Sequence, residues 1–475
     1  MTRDGRGRPG VRRGSGPPKR PAGPPRPPVV DAPRRAALEL LDTVRTRDAY
    51  ANLALPAILR RARLRDRDAA LATELGYGTL RARGLLDGVL EHCIDRPLVK
   101  VEPPLLDALR LGAYQLLRTR VPAHAAVDTT VELVRAQAGS RSAGFVNAVL
   151  RRVGEHDEAA WVARLAPAAA DDPVGHAAFA HSHPRWIAQA FADALGGTGE
   201  LDAALAADDA RPVVHLLARP GDITAEELAL ATGGAEGPWS PYAVHLEAGS
   251  GAVGDLVPVA DGLAVVQDEG SQVVALALTR APTTGADTGR WLDLCAGPGG
   301  KAVLLGSLAA IDGVDVDAVE VGEHRAGLVR GAVEGLPVTV HRADGREAPL
   351  PDAAFDRVLV DAPCTGLGAL RRRPEARWRR RPEDVAGLAK LQRELLTAAL
   401  RHVRPGGVVA YVTCSPHLSE TVGVVTGVAR RTGAELLDAR EHLPGLPDLG
   451  EGPTVQLWPH RHGTDAMFLA LLRRP

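Results

Sequence analysis

The amino-acid sequence predicts a multidomain protein with an all-α domain, a small α/β module and a larger α/β domain built on a doubly wound, mainly parallel sheet. Three observations carry this prediction. Apolar residues recur every three or four positions from Ala32 to about Val153, the pattern becomes mixed over residues 156–250, and short apolar strands then alternate with glycine-rich turns and helices over residues 251–475. A chain of 475 residues is long enough for two or three domains.

The composition is that of a globular protein, with 45% hydrophobic and 24% charged residues. No apolar stretch approaches the roughly 18 residues of a membrane span, and the basic N-terminus lacks the apolar segment of a secretory signal. We therefore expect a cytoplasmic protein, without a membrane partner and monomeric. The four cysteines form no C-x-x-C pair, so neither a disulfide framework nor a metal site is expected.

Residues 1–30 are rich in Pro, Gly and Arg, with eight Lys/Arg and one Asp. Because they contain almost nothing to bury, we predict a disordered basic tail. The tail could attract phosphate groups loosely or serve only to keep the protein in solution.

Residues 31–155 form the predicted helical domain. Segments such as RRAALELLDTV and LLDALRLGAYQLL repeat apolar residues at helical spacing, and few β-branched runs interrupt them, which predicts five or more helices. Residues 156–250 contain a helical pattern at Trp186–Leu195 and a strand pattern at Val213–Ala218, and they are interpreted as a small α/β module. The pattern alone assigns no function to this module.

Residues 251–475 contain five strand candidates, and the first of them leads into a glycine-rich turn. The strands are WLDLCA, VDAVEV, VTVHRA, FDRVLVDA and GVVAYVTC. The turn in LDLCAGPGGK lets a nucleotide-like ligand approach the backbone closely, although it is neither the dinucleotide fingerprint nor a P-loop. The residues of this turn predicted to bind the ligand are Cys295, Ala296, Gly297, Pro298, Gly299, Gly300 and Lys301.

Two carboxylates at the ends of the next two strands complete the predicted pocket. Glu320 lies about 20 residues after the glycines, where an acidic side chain accepts hydrogen bonds from ribose hydroxyls. Asp344 ends the third strand, where it could meet an adenine amine. Either residue alone could be a helix cap, but with the glycine turn they indicate an S-adenosylmethionine pocket of the Rossmann-like class I type.

The fourth and fifth strands each end beside a cysteine. FDRVLVDAPCTG places Asp361 and Cys364 after the fourth strand, and VVAYVTCSP places Cys414 after the fifth. The helix between them, which Pro405-Gly406-Gly407 should stop, makes this a β–α–β crossover with parallel, neighbouring strands about 4.8 Å apart. Both thiols should then lie at the carboxyl edge of the sheet.

Two thiols beside a methyl-donor pocket indicate methylation of carbon 5 of a pyrimidine. A thiolate that adds to carbon 6 breaks the aromaticity, after which carbon 5 can take a methyl group, a base removes the carbon-5 proton and the thiolate leaves. Asp361, which also borders the cofactor pocket, is the candidate for the Watson–Crick edge and ring nitrogen 3. The residues alone do not say whether Cys364 or Cys414 attacks.

Seven arginines interleaved with Trp378 lie within Arg371–Arg381. This spacing suits a surface that tracks a nucleic-acid backbone and stacks bases, with an ordinary solvated face as the alternative.

These motifs resemble the RsmB/Sun (Fmu) family of RNA cytosine-5 methyltransferases. The resemblance rests on LDLCAGPGGK, Glu320, HRADGR, VDAPCTGLGALRRRPEARW and YVTCS, and on VVQDEGSQVV and the terminal HGTDAMF. In that family the cysteine of the Thr-Cys motif is the nucleophile, which implies Cys414. The cysteine of the Pro-Cys motif, here Cys364, assists release of the methylated product.

The resemblance extends through the helical domain. ELGYGTLR, LRLGAYQLLRTRVPAHAAVDTTVEL and GFVNAVLRR resemble the NusB-like RNA-binding domain of that family, and SHPRW resembles the entry to its middle module. The resemblance implies small-subunit (16S) ribosomal RNA as the substrate, methylated at one cytosine. Two alternatives stay open: the same chemistry on transfer RNA, and a NusB-like RNA-binding assembly factor with an inactive methyltransferase domain.

The chain departs from the family pattern at several positions. Gly297 stands where Ala is usual, which should be harmless in a turn, and Glu320 stands where Asp is usual. Ala466-Met467 replaces a common Gly-Phe, and the usual Pro-Glu-Glu-Asn after Cys414 is replaced by the segment from Pro416 to Glu420.

Overall fold

The computed structural model describes residues 31–247 and 252–475, so the tail predicted at residues 1–30 lies outside the described residues. The first domain is helical, as the apolar periodicity predicts. Its core is made largely of leucines that are fully buried, among them Leu40, Leu75 and Leu109. Its helices are α1 (Ala32–Arg47), α2 (Ala51–Ala62), α3 (Asp66–Arg81), α4 (Arg83–Cys93), α5 (Pro103–Arg118) and α6 (Ala123–Val153), the last of which turns at Gly139.

The middle module contains a four-stranded antiparallel sheet and short helices. Its elements are α7 (Glu158–Leu165), α8 (Pro173–Ala180), α9 (Arg185–Leu195), α10 (Leu201–Asp209), β1 (Val214–Ala218), α11 (Ala225–Thr232), β2 (Ala235–Glu236), β3 (Ala243–Leu246), α12 (Val257–Ala260) and β4 (Ala264–Val266). The strand order is β2-β3-β1-β4. The helix and strand predicted in this region are therefore α9 and β1. β4 lies past the boundary predicted at residue 250, because its backbone completes the free edge of β1.

The last domain is built on an eight-stranded sheet. Its helices are α13 (Glu269–Arg280), α14 (Gly300–Asp312), α15 (Glu323–Ala332), α16 (Asp384–His402), α17 (Val422–Thr432) and α18 (Pro459–His462). Its strands are β5 (Arg290–Asp293), β6 (Asp315–Val319), β7 (Val338–His341), β8 (Phe355–Asp361), β9 (Val403–Thr413), β10 (Glu435–Leu437), β11 (Val455–Gln456) and β12 (Phe468–Arg473). Short 3₁₀ helices occupy Leu98–Lys100, Val253–Asp255, Leu367–Ala369, Pro374–Trp378 and Ala439–His442.

The sheet order of the last domain is β7-β6-β5-β8-β9-β12-β10, with β11 paired to β12. The strands from β5 to β9 are mutually parallel where they pair, and β12 is antiparallel to β9. This confirms the doubly wound, mainly parallel sheet. The strand order reverses between β5 and β8, and that switch point is where such sheets bind ligands.

The predicted crossover from β8 through α16 to β9 is confirmed, with Asp361 at the end of β8 opposite Val412 in β9. One detail of the prediction is wrong. Pro405-Gly406-Gly407 does not stop α16, which already ends at His402, but lies within β9. The pairing of β9 with β8 shifts register across this segment, and Gly406 takes the positive φ (74°) of the irregular backbone.

Within the two described ranges of the chain, no helix is long and apolar enough to cross a membrane. The same residues contain no group of three or more His, Cys, Asp or Glu side chains arranged to hold a metal ion.

Candidate active site

The two cysteines at the ends of β8 and β9 lie side by side at the carboxyl edge of the sheet. Their Sγ atoms are 3.5 Å apart, and both side chains are partly exposed. The backbone N–H of Gly368 donates to the carbonyl of Cys414 at 2.9 Å, which ties the loop after Cys364 to the end of β9. The adjacency follows directly from the parallel pairing of the two strands.

The two thiols have opposite electrostatic environments. The hydrogen bond from Cys364 lowers the pKa of Cys414, and the positive charge of Lys301 acts in the same direction, against the effect of burial. The same hydrogen bond, together with burial, raises the pKa of the Cys364 thiol well above its ordinary value. The lowered pKa of Cys414 favours its thiolate form relative to that of Cys364, so Cys414 is the better candidate nucleophile of the pair.

Lys301 connects the glycine turn to the thiols. Its side chain is nearly buried, and its Nζ donates to Asp361 Oδ2 at 2.8 Å and to Ser271 Oγ at 3.3 Å. Burial alone would lower the pKa of Lys301, but the carboxylate of Asp361 outweighs it and raises that pKa above its ordinary value. A charged ammonium group thus lies between the predicted cofactor turn and the predicted catalytic aspartate.

The carboxylate of Glu320 lies directly against the glycine turn. It is almost fully buried, and it accepts hydrogen bonds from Gly297 N at 3.1 Å and from Gly322 N at 2.9 Å. A Cβ atom at position 297 would lie only 2.2 Å from Glu320 Oε2. Gly297 therefore makes room for Glu320, because the longer acid at position 320 occupies the space that an alanine side chain at position 297 would need.

The remaining residues of the turn shape its backbone. Gly299 has a positive φ of 123° immediately before α14, and Gly300 begins that helix after a cis Gly297–Pro298 peptide. Ala296 N donates to the carbonyl of Val319 at 2.9 Å. Cys295 is not activated like Cys414, because burial and neighbouring carboxylates raise its pKa well above the ordinary value.

Two polar side chains beside the turn were missed by sequence reasoning. Asp293 at the end of β5 is fully buried; burial and the charge of Asp361 raise its pKa to about 7. Asp293 Oδ2 and both amide atoms of Gln267 are buried without a hydrogen-bond partner among residues 31–247 and 252–475. Because buried polar groups are normally satisfied, these atoms are available to a polar ligand beside the turn. The only sequence signals were their positions in LDLCAG and VVQDEG.

Asp344 follows β7, and the next residue, Gly345, packs closely against Leu294 at the start of the glycine turn. In the part of the chain that is described, its hydrogen bonds come from Arg346, including one of 2.6 Å from Nη2 to Oδ2. These bonds lower the pKa of Asp344. Arg346 also pairs with Glu394 at 2.9 Å, so Asp344 belongs to a small ion-pair group on the rim of the domain.

The prediction of a nucleic-acid-tracking surface over Arg371–Arg381 is wrong for its two most buried members. Arg371 is 5% exposed and binds Asp268 at 3.0 Å and Asp465 at 2.7 Å. These carboxylates belong to the VVQDEGSQVV and HGTDAMF segments, so Arg371 joins two distant motifs. Arg377 is fully buried, pairs with Asp209 of the middle module at 3.0 Å, and donates to the carbonyl of Arg81 in the first domain at 3.1 Å.

We use the name arginine junction for Arg371, Arg372 and Arg377 with their carboxylate partners. Arg372 contributes ion pairs with Asp268 at 2.6 Å and Asp465 at 3.1 Å. The arginines are buried because they neutralise carboxylates where the three regions of the chain meet. Of the predicted surface, only Arg373 and Arg381 are classed as exposed.

Solved structures share this fold. The crystal structure of PH0851 matches with a TM-score of 0.77 at 22% identity, over 94% of this chain and 99% of that chain. The crystal structure of NSun6 from Pyrococcus horikoshii with SFG matches with a TM-score of 0.52 at 18% identity, over 61% of this chain and 98% of that chain.

Sequence comparisons define the family. A family profile described as 16S rRNA methyltransferase RsmB/F matches residues 280–473, and the NusB family profile matches residues 31–155. The protein named "Putative methyltransferase Rv1407" of Mycobacterium tuberculosis (strain ATCC 25618 / H37Rv) is 63% identical over 464 residues, covering 97% of this chain and 99% of that protein. The "Ribosomal RNA small subunit methyltransferase B" of Serratia proteamaculans is 34% identical, covering 82% of this chain and 89% of that protein. The chain therefore belongs to the RsmB/F family of 16S rRNA methyltransferases and carries a NusB-family domain.

Proposed function

We propose that this protein methylates carbon 5 of one cytosine in 16S ribosomal RNA through a covalent bond between Cys414 and carbon 6 of the base. The observation that carries the proposal is the pair of thiols 3.5 Å apart, one activated and one protonated, at neighbouring strand ends. Methyl transfer to an exocyclic amine or a hydroxyl needs no thiol nucleophile, whereas an electron-poor pyrimidine carbon does.

The cofactor of this family is S-adenosylmethionine, which supplies a methyl group on a positively charged sulfur. The residues around the glycine turn fit such a ligand. Glu320 would accept from the ribose hydroxyls, and the unpartnered oxygen of Asp293 suits the ammonium end of the ligand. The free amide of Gln267 offers both a donor and an acceptor beside the turn. The carboxylate of Asp344 would accept a hydrogen bond from the adenine amine, because it has more acceptor sites than Arg346 occupies.

Cys414 acts first in the proposed reaction. The donor Cys364 and the charge of Lys301 favour its thiolate, which attacks carbon 6 of the cytosine. The attack moves electrons onto ring nitrogen 3. The hydrogen-bonded pair of Lys301 and Asp361 would supply a proton-bearing group there and stabilise the developing negative charge.

Cys364 acts last. Once Cys414 is bonded to carbon 6, Cys364 loses the thiolate that raised its own pKa, so it can give its proton to water. After carbon 5 has used the electrons released by the attack to take the methyl group, whose bond to sulfur breaks, the Cys364 thiolate would remove the carbon-5 proton. The electrons of that C–H bond re-form the double bond between carbons 5 and 6, the bond from carbon 6 to Sγ breaks, and Cys414 leaves as a thiolate.

The first domain offers a basic surface for the RNA. Four exposed arginines at the junction of α2 and α3 have no ion-pair partner within the described residues: Arg60, Arg63, Arg65 and Arg67. On the side of the first domain that faces the last one, exposed Tyr50 lies under Arg373, with 5.6 Å between ring and guanidinium. The charge of Arg373 also acts on Cys414. We propose that the RNA backbone follows these cations toward the thiols, with the target cytosine flipped out of its stack.

Bisulfite sequencing of total RNA from cells with and without this gene tests the substrate. The expected result is loss of one methylcytosine signal in 16S ribosomal RNA. Loss of a signal in transfer RNA instead would contradict the ribosomal substrate, and unchanged signals in all RNAs would contradict the enzyme.

A further inference from the structure

We infer that Glu420 is a positioning residue that holds the two thiols at their working separation. The inference rests on the proposed roles of Cys414 and Cys364, but it concerns a carboxylate that touches neither sulfur. Glu420 is fully buried, six residues after Cys414, in the segment that departs from the family pattern.

The first carboxylate oxygen of Glu420 holds the loop that carries Cys364. Its Oε1 accepts from Thr365 N at 2.8 Å and from Gln392 Nε2 at 3.1 Å. The same Gln392 amide donates to the carbonyl of Pro363 at 2.9 Å. The residues immediately before and after Cys364 are therefore both fixed by one small hydrogen-bond network.

The second carboxylate oxygen of Glu420 joins the two loops. Its Oε2 accepts from Thr365 Oγ1 at 2.5 Å and from Ser415 Oγ at 2.7 Å, and these two hydroxyl oxygens are 3.1 Å apart. Thr365 directly follows Cys364, and Ser415 directly follows Cys414. One oxygen atom thus links the residues next to both thiols.

The backbone of Glu420 is itself anchored to the sheet. The hydroxyl of Tyr411, which is fully buried in β9, donates to the Glu420 carbonyl at 2.7 Å. Within the described residues no Lys, Arg or His forms an ion pair with Glu420. A buried carboxylate that is balanced by hydrogen bonds alone is costly, so its geometry rather than charge pairing explains its presence.

The separation of the thiols matters because the hydrogen bond from Cys364 is the main reason that the pKa of Cys414 is low. If the loops move apart, that bond weakens, and the pKa of Cys414 rises toward its ordinary value, so that a smaller fraction of the thiol is ionised. Displacements of about 1 Å in a reacting group commonly cost about 100-fold in rate.

The test compares Glu420→Ala with Glu420→Gln and with a matched control, Asp356→Ala. The Gln side chain can still accept from Thr365 N and can donate to the two hydroxyls, so it preserves the links without the charge. Asp356 is also fully buried and accepts from Thr288 N at 2.8 Å and Arg404 Nε at 2.6 Å, but it lies at the opposite end of β8. Its loss should destabilise the domain without moving the thiols.

Two measurements separate positioning from general stability. The first is the pH dependence of Cys414 alkylation by iodoacetamide in the free protein, followed for each cysteine by mass spectrometry. The second is the division of the rate effect between kcat and KM for 16S RNA. For Glu420→Ala we expect the alkylation midpoint to rise by about one pH unit and kcat to fall about 100-fold, with KM nearly unchanged. Glu420→Gln should recover most of both effects.

The inference is overturned if Glu420→Ala leaves the midpoint and kcat as in the wild type. It is equally overturned if Asp356→Ala shifts the midpoint as much, because general loosening would then suffice. Should Glu420→Ala not fold, Thr365→Val removes one hydroxyl link at nearly constant volume, and a smaller shift in the same direction is expected. A wild-type protein that methylates no RNA would contradict the proposed function, while the alkylation midpoint would still test the role of Glu420.

Discussion

The arginine junction begins seven residues after Cys364, yet the thiol pair and the junction use burial in opposite ways. At the thiols, the hydrogen bond from Cys364 and the charge of Lys301 lower the pKa of Cys414, and Asp293 has a buried oxygen without a partner within the described residues. At the junction, charges are neutralised: Arg371 binds two carboxylates, and Arg377 binds Asp209 together with backbone carbonyls. Beside the glycine turn, unpartnered polar atoms are available to a ligand, whereas at the junction ion pairs join distant segments of the chain.

The largest effect is expected at the nucleophile. Cys414→Ala should lower the methylation rate by at least about 10⁴-fold, because no other group can form the bond to carbon 6. Transfer of labelled methyl groups to 16S RNA measures it. Cys93→Ala is the matched control, since Cys93 is buried in the helical domain, and it should keep activity within about twofold. Comparable activity in Cys414→Ala and Cys93→Ala would mean that Cys414 is not the nucleophile.

The junction should respond in stability rather than in chemistry. Arg377→Ala removes a fully buried cation from Asp208 and Asp209, although Asp209 keeps its ion pair with Arg118 at 2.6 Å and Asp208 its contact with His183 at 2.8 Å. The variant should lower the free energy of unfolding by about 3 kcal/mol. Denaturant titration measures this change. Exposed Arg381 is the matched control, and Arg381→Ala should stay within about 0.5 kcal/mol. An unchanged midpoint for Arg377→Ala would mean that the junction does not hold the domains together.

Lys301 resembles the junction arginines in being an almost buried cation, but it lies beside the thiol pair. Lys301→Met should raise the pKa of Cys414, since the ammonium group favours the thiolate. Activity should rise with pH as Cys414 ionises. A higher pKa of Cys414 should therefore move the rising limb of the pH profile of kcat/KM to higher pH. A rise of one pH unit would lower the rate at neutral pH about tenfold. If the rising limb of the profile lies at the same pH in Lys301→Met and the wild type, Lys301 does not lower the pKa of Cys414.

An effect of similar size, on cofactor binding rather than on the thiol, is expected at the glycine turn. Gly297→Ala would place a Cβ 2.2 Å from Glu320 Oε2 and should weaken S-adenosylmethionine binding by about tenfold, or about 1.4 kcal/mol. Calorimetry on the free protein measures the affinity. Glu320→Asp shortens the acid by one methylene, so the double variant should bind better than Gly297→Ala alone. If the loss of binding free energy in the double variant equals the sum of the losses in the two single variants, positions 297 and 320 are not coupled.

Much of the catalytic geometry could be predicted because it follows from strand topology. Cys364 and Cys414 end two strands joined by one helix, and parallel neighbours bring equivalent ends together. That argument needs only local periodicity and one crossover. It does not need the identity of any residue that packs against the thiols.

The features that could not be predicted from the sequence depend on contacts between residues far apart in the chain. Nothing in the run of arginines indicates that Asp268 and Asp209 lie beside Arg371 and Arg377. The proposed order of the thiols depended on the opposite pKa shifts of the pair and on the location of Lys301. The role of Glu420 could not be predicted for the same reason, because the four hydrogen bonds to its carboxylate come from three residues, Thr365, Gln392 and Ser415.

The central claim is that Cys414 attacks and Cys364 releases, and trapping the intermediate tests it most directly. Cys364→Ala protein is incubated with 16S RNA and S-adenosylmethionine, and the covalent protein–RNA complex is separated on a denaturing gel and mapped by mass spectrometry. We expect Cys364→Ala to accumulate a complex linked through Cys414, and Cys414→Ala to form none. A complex that forms with Cys414→Ala and is linked through Cys364 would contradict the account.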